Sequence, residues 1–354
     1  MRPPRFNTAS SFHADLKQKI KNYFIEKSLK QTGNLGLYLK AIILVALYIA
    51  TYVVLLFFTP HWALALVGAV FLGGLAATIG FNVMHDGAHG SFSRKKWVNE
   101  LAGHSINFLG ANVFMWKTKH NVVHHSFTNV DEVDDDMNAR PFLRLCPNQK
   151  FYGIHKYQHW YFLMVYSLLY LYWVFVTDYK KYITGKVGII PIQKMKLHDH
   201  LSFWGFKLIH LGLFIVLPIL TVGWLYWLIG FLVYGVATGI FLSVVFQLAH
   251  SVEETSFPMP DVVSNQLEDD WAIHQLKTTS NFATHNKVLS WLVGGLNFQV
   301  EHHLFPNISH VHYPAISKII KETCREYGIP YLEHPRFRLA FASHVNHLRI
   351  LGKG

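Results

Sequence analysis

The sequence predicts an all-α integral membrane protein, with four transmembrane helices in two hairpins, interfacial helices and a cytoplasmic helical cap carrying clusters of histidine. Three observations lead there. Charged residues make up 15% of the 354-residue chain, against about 25% in soluble domains. Asp, Glu, Lys and Arg are absent for 45 residues between Lys40 and Asp86, and for another 45 between Lys207 and Glu253. At about 1.5 Å per residue each run makes roughly 68 Å of helix, or two crossings of a roughly 30 Å hydrocarbon core.

Each run breaks near its middle. Thr59-Pro60-His61 separates an apolar segment over 41–58 from one over 62–84, and Pro218 to Gly223 separates 205–220 from 223–249. A third apolar segment, Trp160 to Val176, is flanked by Arg140, Arg144, Lys150 and Lys156 before it and by Lys180, Lys181, Lys186, Lys194 and Lys196 after it. The positive-inside rule puts both flanks in the cytoplasm, so this segment is expected to lie at the interface, where its tyrosines fit, without crossing. The first 40 residues hold eight Lys and Arg against Asp15 and Glu26 and lack a signal-peptide pattern, so both termini are expected to be cytoplasmic. The expected organisation is one domain over 1–354: an amino-terminal segment (1–40), a first hairpin (41–84), a cytoplasmic and interfacial region (85–204), a second hairpin (205–249) and a cap (250–354).

Composition narrows the chemistry. The net charge of +11 sits outside the apolar runs, as for a membrane surface rather than nucleic acid. Cys146 and Cys324 are the two cysteines, too few for four-thiolate clusters or a disulfide framework. Metal chemistry therefore falls to 23 histidines. His85 and His89 lie four apart at the inner end of the second span, on one helix face. His120 and His124 repeat the spacing, with His125 adjacent. His302 and His303 follow Gln299 in Gln-Val-Glu-His-His, and His250 ends the last span. Eight imidazoles on one membrane face exceed the four ligands of a zinc ion and suit two metal ions with open positions, which favours binding dioxygen. His274 could complete the metal shell, hydrogen-bond to a ligand or do neither. His310 and His312 follow the third box closely. The remaining histidines, among them His155, His210, His344 and His347, are expected at the surface or the interface.

The order His85-x3-His89, His120-x3-His124-His125, Gln299-x2-His302-His303 resembles the membrane fatty acid desaturases, and Gly294-Gly295-Leu296-Asn297-Phe298-Gln299-Val300-Glu301-His302-His303-Leu304-Phe305-Pro306 is similar to their front-end (Δ5/Δ6-like) branch. The resemblance runs from about residue 40 to 330. It implies a four-span helical enzyme that takes dioxygen and two electrons at a histidine-bound di-iron centre, removing two hydrogens from an acyl chain to leave a cis double bond. His85, His89, His120, His124, His125, His302 and His303 would be ligands of the two iron ions, with His250 matching an extra histidine of the wider family. Gln299 would ligate directly or through a water. Many front-end relatives carry a fused cytochrome b5 domain with a His-Pro-Gly-Gly motif; this sequence has none, nor a dinucleotide fingerprint. Electrons are thus expected from a separate ferredoxin, or from cytochrome b5 with its reductase.

Other roles follow by position. Asp86, Glu301 and the run Asp131 to Asp136 could accept the ligands' second N–H, or the run could be a solvated loop. Trp116, Lys117 and Lys119 precede box two, where the headgroup of an acyl-CoA, acyl-carrier or acyl-lipid substrate could approach from the bilayer; interfacial snorkelling is the alternative for the lysines. After box three, Pro314 opens a predicted amphipathic helix with Ile316, Ile319, Ile320 and Cys324 inward and Gly328 near its end. Rival readings are a di-iron lipid, alkane or carotenoid hydroxylase or ketolase, and a histidine-based metal transporter. A transporter should hold its ligands near the bilayer midplane rather than at span ends.

Overall fold

The computed structural model describes residues 3–8, 10–59 and 61–354; Pro60, in the expected first break, lies outside them. The fold is helical, with two minimal ladders. Among the described residues four single helices are long and apolar enough to cross a membrane, α2 (Leu35–Phe57), α3 (Trp62–His89), α8 (Leu197–Val222) and α9 (Trp224–His250), and a bent pair over Gly153–Thr184 would make a fifth if it counted as one span. Besides single turns at Asp135–Met137 and His310–His312, the remaining helices among the described residues are α1 (Ser11–Glu26), α4 (Lys96–Phe108), α5 (113–127), α6 (Gly153–Ser167), α7 (Leu169–Thr184), α10 (Trp271–Thr278), α11 (Lys287–Leu292), α12 (Gln299–Leu304), α13 (Tyr313–Glu326) and α14 (Phe337–Leu351). Strands β1 (Lys186–Val187) and β2 (Ile190–Pro191) pair antiparallel, and β3 (Asn281–Phe282) pairs parallel with β4 (Glu333–His334).

Helix boundaries lie further out than the charge pattern suggests. α2 starts at Leu35 because the Asn34 side chain caps it, accepting from Leu37 N at 3.0 Å. α8 starts at Leu197 and carries Lys207 inside it, because that lysine is neutralised: its Nζ reaches Asp178 at 3.0 Å and the carbonyls of Gly110 and Val174 at 2.7 and 3.0 Å. The break expected over Pro218 to Gly223 falls at its far end: α8 runs through Pro218 to Val222 and the chain turns at Gly223 (φ 86°). A wide π turn at Gly212–Val216 precedes Pro218, and the Phe214 carbonyl four residues back takes its hydrogen bond from the Trp227 indole at 2.8 Å. A missing helical N–H is thus replaced from the neighbouring span.

Helix α9 packs against α3 and against α6 and α7. Close approach to α3 depends on Gly73, where a Cβ would sit 2.7 Å from the Tyr234 carbonyl. α6 and α7, which hold the segment expected not to cross, meet at a 55° bend. Outside the apolar helices, α1 presents Phe12, Leu16, Ile20 and Phe24 at helical spacing to α10, α12 and α13, burying Leu276, Leu304, Tyr313, Ile316 and Ile320. The helix predicted from Pro314 is α13, with Ile316, Ile320 and Cys324 buried as expected.

The Lys207–Asp178 pair supplies a first prediction. Both groups are buried, so Lys207→Met should cost about 3–5 kcal/mol by stranding a carboxylate, whereas Lys207→Met with Asp178→Leu should recover most of the loss. Thermal unfolding of the detergent-solubilised variants measures both. Equal losses in the single and double variants would show that the ion pair is not what the site requires.

Candidate metal centre

The three boxes and His250 are brought together from four elements. His85 and His89 close the last turn of α3, directly after a π turn at Gly80–Met84. His120 and His124 lie in a second π turn, Thr118–His124, with His125 just beyond. His302 and His303 sit on α12, and His250 is the last residue of α9. α12 reaches this position because Gly294 and Gly295 take φ values of 59° and 67° just before it. A Cβ on Gly294 would lie 2.4 Å from the carbonyl of Phe81, in the turn beneath box one. Only glycine permits both the left-handed backbone and this approach.

Two groups of convergent nitrogens result. His85, His89, His120 and His302 offer ligand atoms within 4.8 Å of one another, and so do His124, His250 and His303. His125 lies between them, its ring 4.9 and 4.5 Å from those of His89 and His302 and 4.5 Å from that of His303. The nitrogens themselves show what the space is built for. Nε2 of His85, His89, His124, His250, His302 and His303, and Nδ1 of His125, are buried without any hydrogen-bond partner. The Nε2 atoms of His120 and His125 face each other at 3.2 Å. So many stranded polar atoms in one core would be costly unless a cation met them.

Opposite nitrogens are held by the protein, which fixes ring angle and tautomer. Asp134 accepts from His124 Nδ1 at 2.9 Å and is steadied by the backbone N–H of Asn129 at 3.0 Å. Tyr313 Oη meets His302 Nδ1 at 3.1 Å, Gln275 Oε1 accepts from His303 Nδ1 at 2.8 Å, and the Thr278 carbonyl lies 3.3 Å from His250 Nδ1. Thr128 donates to Gln275 Oε1 at 2.9 Å and so orients that amide. Spacing within the histidine boxes reveals none of these contacts.

Several expected positions resolve differently. Asp86 and Glu301 each follow or precede a box histidine by one residue, so a helix turns them away from its partner nitrogens. Asp86 instead accepts from Ser309 at 2.7 Å and from His310 at 3.0 Å, tying box one to the chain after box three. Glu301 accepts from Asn281 at 2.7 Å and from Tyr331 at 2.6 Å. The run Asp131 to Asp136 is no free solvated loop: Asp131 and Asp134 are buried, and Asp136 pairs with Lys119 at 2.5 Å. That pairing commits Lys119, so of the two lysines only Lys117 has no ion pair among the described residues. Trp116 lies against the centre itself, stacked on His120 at 4.4 Å and edge-on to His85 and His89. His274 is turned out of both groups toward Phe6, 5.2 Å away, and it is the next residue, Gln275, that faces inward. Gln299 opens α12 and is buried, with no hydrogen bond to its amide among the described residues.

The histidines expected at surfaces include a buried set. His155 meets the Pro141 carbonyl at 2.8 Å, His347 that of Leu145 at 3.0 Å, and His344 bridges the Ser251 carbonyl at 2.6 Å and Tyr166 Oη at 2.9 Å. His344 and His347 serve as core hydrogen-bonding groups that dock α14, while His155 ties its own turn to Pro141, and lone histidines carry no spacing signal for these roles.

The electrostatics suit a cation. Burial first, and mutual repulsion between imidazoles second, hold His120, His125, His302 and His303 well below the ordinary imidazole range, so their lone pairs are free at neutral pH. For His124 burial pushes the same way, but the Asp134 charge and hydrogen bond outweigh it and raise the group. That carboxylate likewise makes Nε2 a stronger donor to a metal. Four groups lowered against two raised set the sign of a pH effect. Below the unfolded value of 6.5, unfolded histidines take up protons that the four buried ones refuse, so stability falls as the pH falls; His124, and Glu301, which burial pushes up to about 7, are two groups against four in the opposite direction. Metal-free protein should therefore melt at a lower temperature at about pH 5.5 than at about pH 7.5, as scanning fluorimetry would show. A higher melting point at the acidic pH would contradict the neutral cluster.

The fatty acid desaturase family model matches residues 60–335. The chain is 36% identical over 354 residues to an sn-1 linoleoyl-lipid 6-desaturase of Synechocystis, covering 99% of this chain and 98% of that one. It is 33% identical to the enzyme of the same name from Arthrospira platensis (97% and 93% covered) and 34% identical to an acyl-lipid (8-3)-desaturase of Physcomitrium patens (96% and 72%). The chain belongs to the fatty acid desaturase family.

Proposed function

We propose that this protein is an acyl-lipid front-end desaturase, which introduces a cis double bond between an existing one and the carboxyl end of a membrane-borne acyl chain. The observation that carries the reading is the double group of stranded imidazole nitrogens, set in a chain whose near full-length relatives are named as sn-1 linoleoyl-lipid 6-desaturases. Two iron ions fit these groups, with His85, His89, His120 and His302 around one, His124, His250 and His303 around the other, and His125 between. An all-nitrogen donor set leaves the ions their positive charge and open positions. When bound, the iron pair supplies dioxygen activation with two external electrons, and the two hydrogens removed from the chain leave in water.

The polypeptide does the rest. Asp134, Gln275 and Tyr313 hold the rings at fixed angles. Trp116 covers His120 and keeps water from that side of the centre. From Trp116 an apolar cluster extends through Met84, Ala88, Ala111, Val113, Tyr170 and Phe214 to Tyr234 in the bilayer-spanning region, and the acyl chain is proposed to approach along it. Lys117 is left to meet an anionic or ester headgroup. The proposed topology is one domain with two hairpins, α2–α3 and α8–α9, both termini and the histidine boxes on the cytoplasmic side, α6–α7 at the interface, and a separate ferredoxin or cytochrome b5 as electron donor.

Expression in a host supplied with linoleate, followed by mass spectrometry of fatty acid methyl esters with double-bond location, tests the function. The expected product has a new double bond on the carboxyl side of the existing ones. Hydroxylated products alone would transfer the protein to the hydroxylase reading.

A further inference from the structure

A cavity of about 420 Å³ opens outside the membrane-spanning helices, between α1, the start of α10 and the turn after box three. Three residues of α1 at four-residue spacing, His13, Lys17 and Lys21, form one wall, and Phe305 and Asn307 form another. Lys17 and Lys21 are exposed and take part in no ion pair among the described residues, whereas Lys19 on the same helix is committed to Asp15 and Glu326. His13 Nε2 is buried without a partner. The floor is Trp271, whose ring lies 5.1 Å from that of His13. On its other side the Trp271 indole N–H donates to the backbone carbonyl of His125 at 2.9 Å. His125 is the imidazole between the two nitrogen groups. One indole therefore connects a basic surface cavity to the middle of the centre through a single hydrogen bond.

We propose that this cavity is where an acidic one-electron carrier protein docks, and that Trp271 and His125 are the route by which its electrons enter. The inference rests on the redox reading above. A carrier carboxylate would sit between Lys17 and Lys21, bringing the carrier's cofactor over Trp271. In each encounter the carrier would be oxidised by one electron, which the ferric iron that the imidazole groups would hold would take up, with no bond made or broken; two encounters would provide the two electrons of a turnover. An indole with a hydrogen bond to ligand backbone shortens the through-space part of the transfer, on which the rate depends most steeply. Trp271 is on this account a positioning and relay residue, outside the set that touches the acyl chain.

Iron-loaded protein in nanodiscs, mixed anaerobically with a reduced plant-type ferredoxin in a stopped-flow instrument, tests the proposal. The signal is ferredoxin reoxidation, which needs no acyl substrate, so failure of the desaturase reading would appear in product analysis and not here. Lys17→Glu with Lys21→Glu should slow reoxidation about tenfold or more at low ionic strength, and added salt should erase most of the difference. Trp271→Phe should leave the concentration for half-maximal rate unchanged and lower the limiting rate. Reduction by dithionite, which needs no docking, reads the integrity of the centre, and the ratio of the ferredoxin rate to the dithionite rate is the quantity expected to fall. Unchanged ferredoxin rates in both variants would overturn the proposal, as would equal loss of the dithionite rate. So would a charge reversal whose only effect is weaker binding to phosphatidylserine vesicles, which would assign the lysines to the membrane surface.

Discussion

His302→Ala should leave no detectable unsaturated product and should lower bound iron. His302 belongs to the first nitrogen group, touches His125, and is oriented through Nδ1 by Tyr313 at 3.1 Å. Removing its imidazole takes away a donor and opens a hole beside His85, whose ring centre is 4.3 Å away. His302 is one of four imidazoles in that group, so the loss should be complete rather than graded. Tyr313→Phe separates orientation from ligation: it keeps the imidazole and loses the hydroxyl partner, and activity should fall by about 10- to 100-fold with most of the iron retained. Metal analysis beside product analysis distinguishes the two outcomes. Undiminished product from His302→Ala would remove box three from the centre.

Asp134→Asn should have the next largest effect. The substitution conserves shape and leaves an oxygen for the Asn129 N–H, but it removes the charge that polarises His124. Iron affinity should drop about 10- to 100-fold, measured by competition with a chelator. The same replacement at Asp86 should leave iron affinity nearly unchanged and lower the melting temperature, because Asp86 holds Ser309 and His310 and no box imidazole. If Asp86→Asn proved the more damaging to metal binding, the assignment of orienting carboxylates would be reversed.

How much of this was visible in the amino-acid order follows from the range over which each interaction acts. His85 and His89, or His120 and His124, are one helical turn apart, so their shared face is a local property that spacing reveals. The apolar spans are legible for the same reason, since the expulsion of charge is a property of continuous segments. Orientation of the rings is not local. Gln275 meets His303 across 28 positions, and Tyr313 meets His302 across 11. Adjacency even misleads, for Asp86 and Glu301 lie beside ligand candidates in sequence and face away from them in space. Lys207 and Pro218 show the complementary limit. Each is a local obstacle to a continuous apolar helix that a partner elsewhere answers, Asp178 in one case and the Trp227 indole in the other.

Two groups of imidazoles, joined by His125, are proposed to hold two iron ions. Iron quantification with Mössbauer spectroscopy on anaerobically purified protein would count and distinguish them. Two iron ions per chain in nitrogen-rich sites are expected, with His303→Ala depleting one population preferentially. A single metal ion per chain, or zinc in stoichiometric amount with no bound iron, would contradict this assignment.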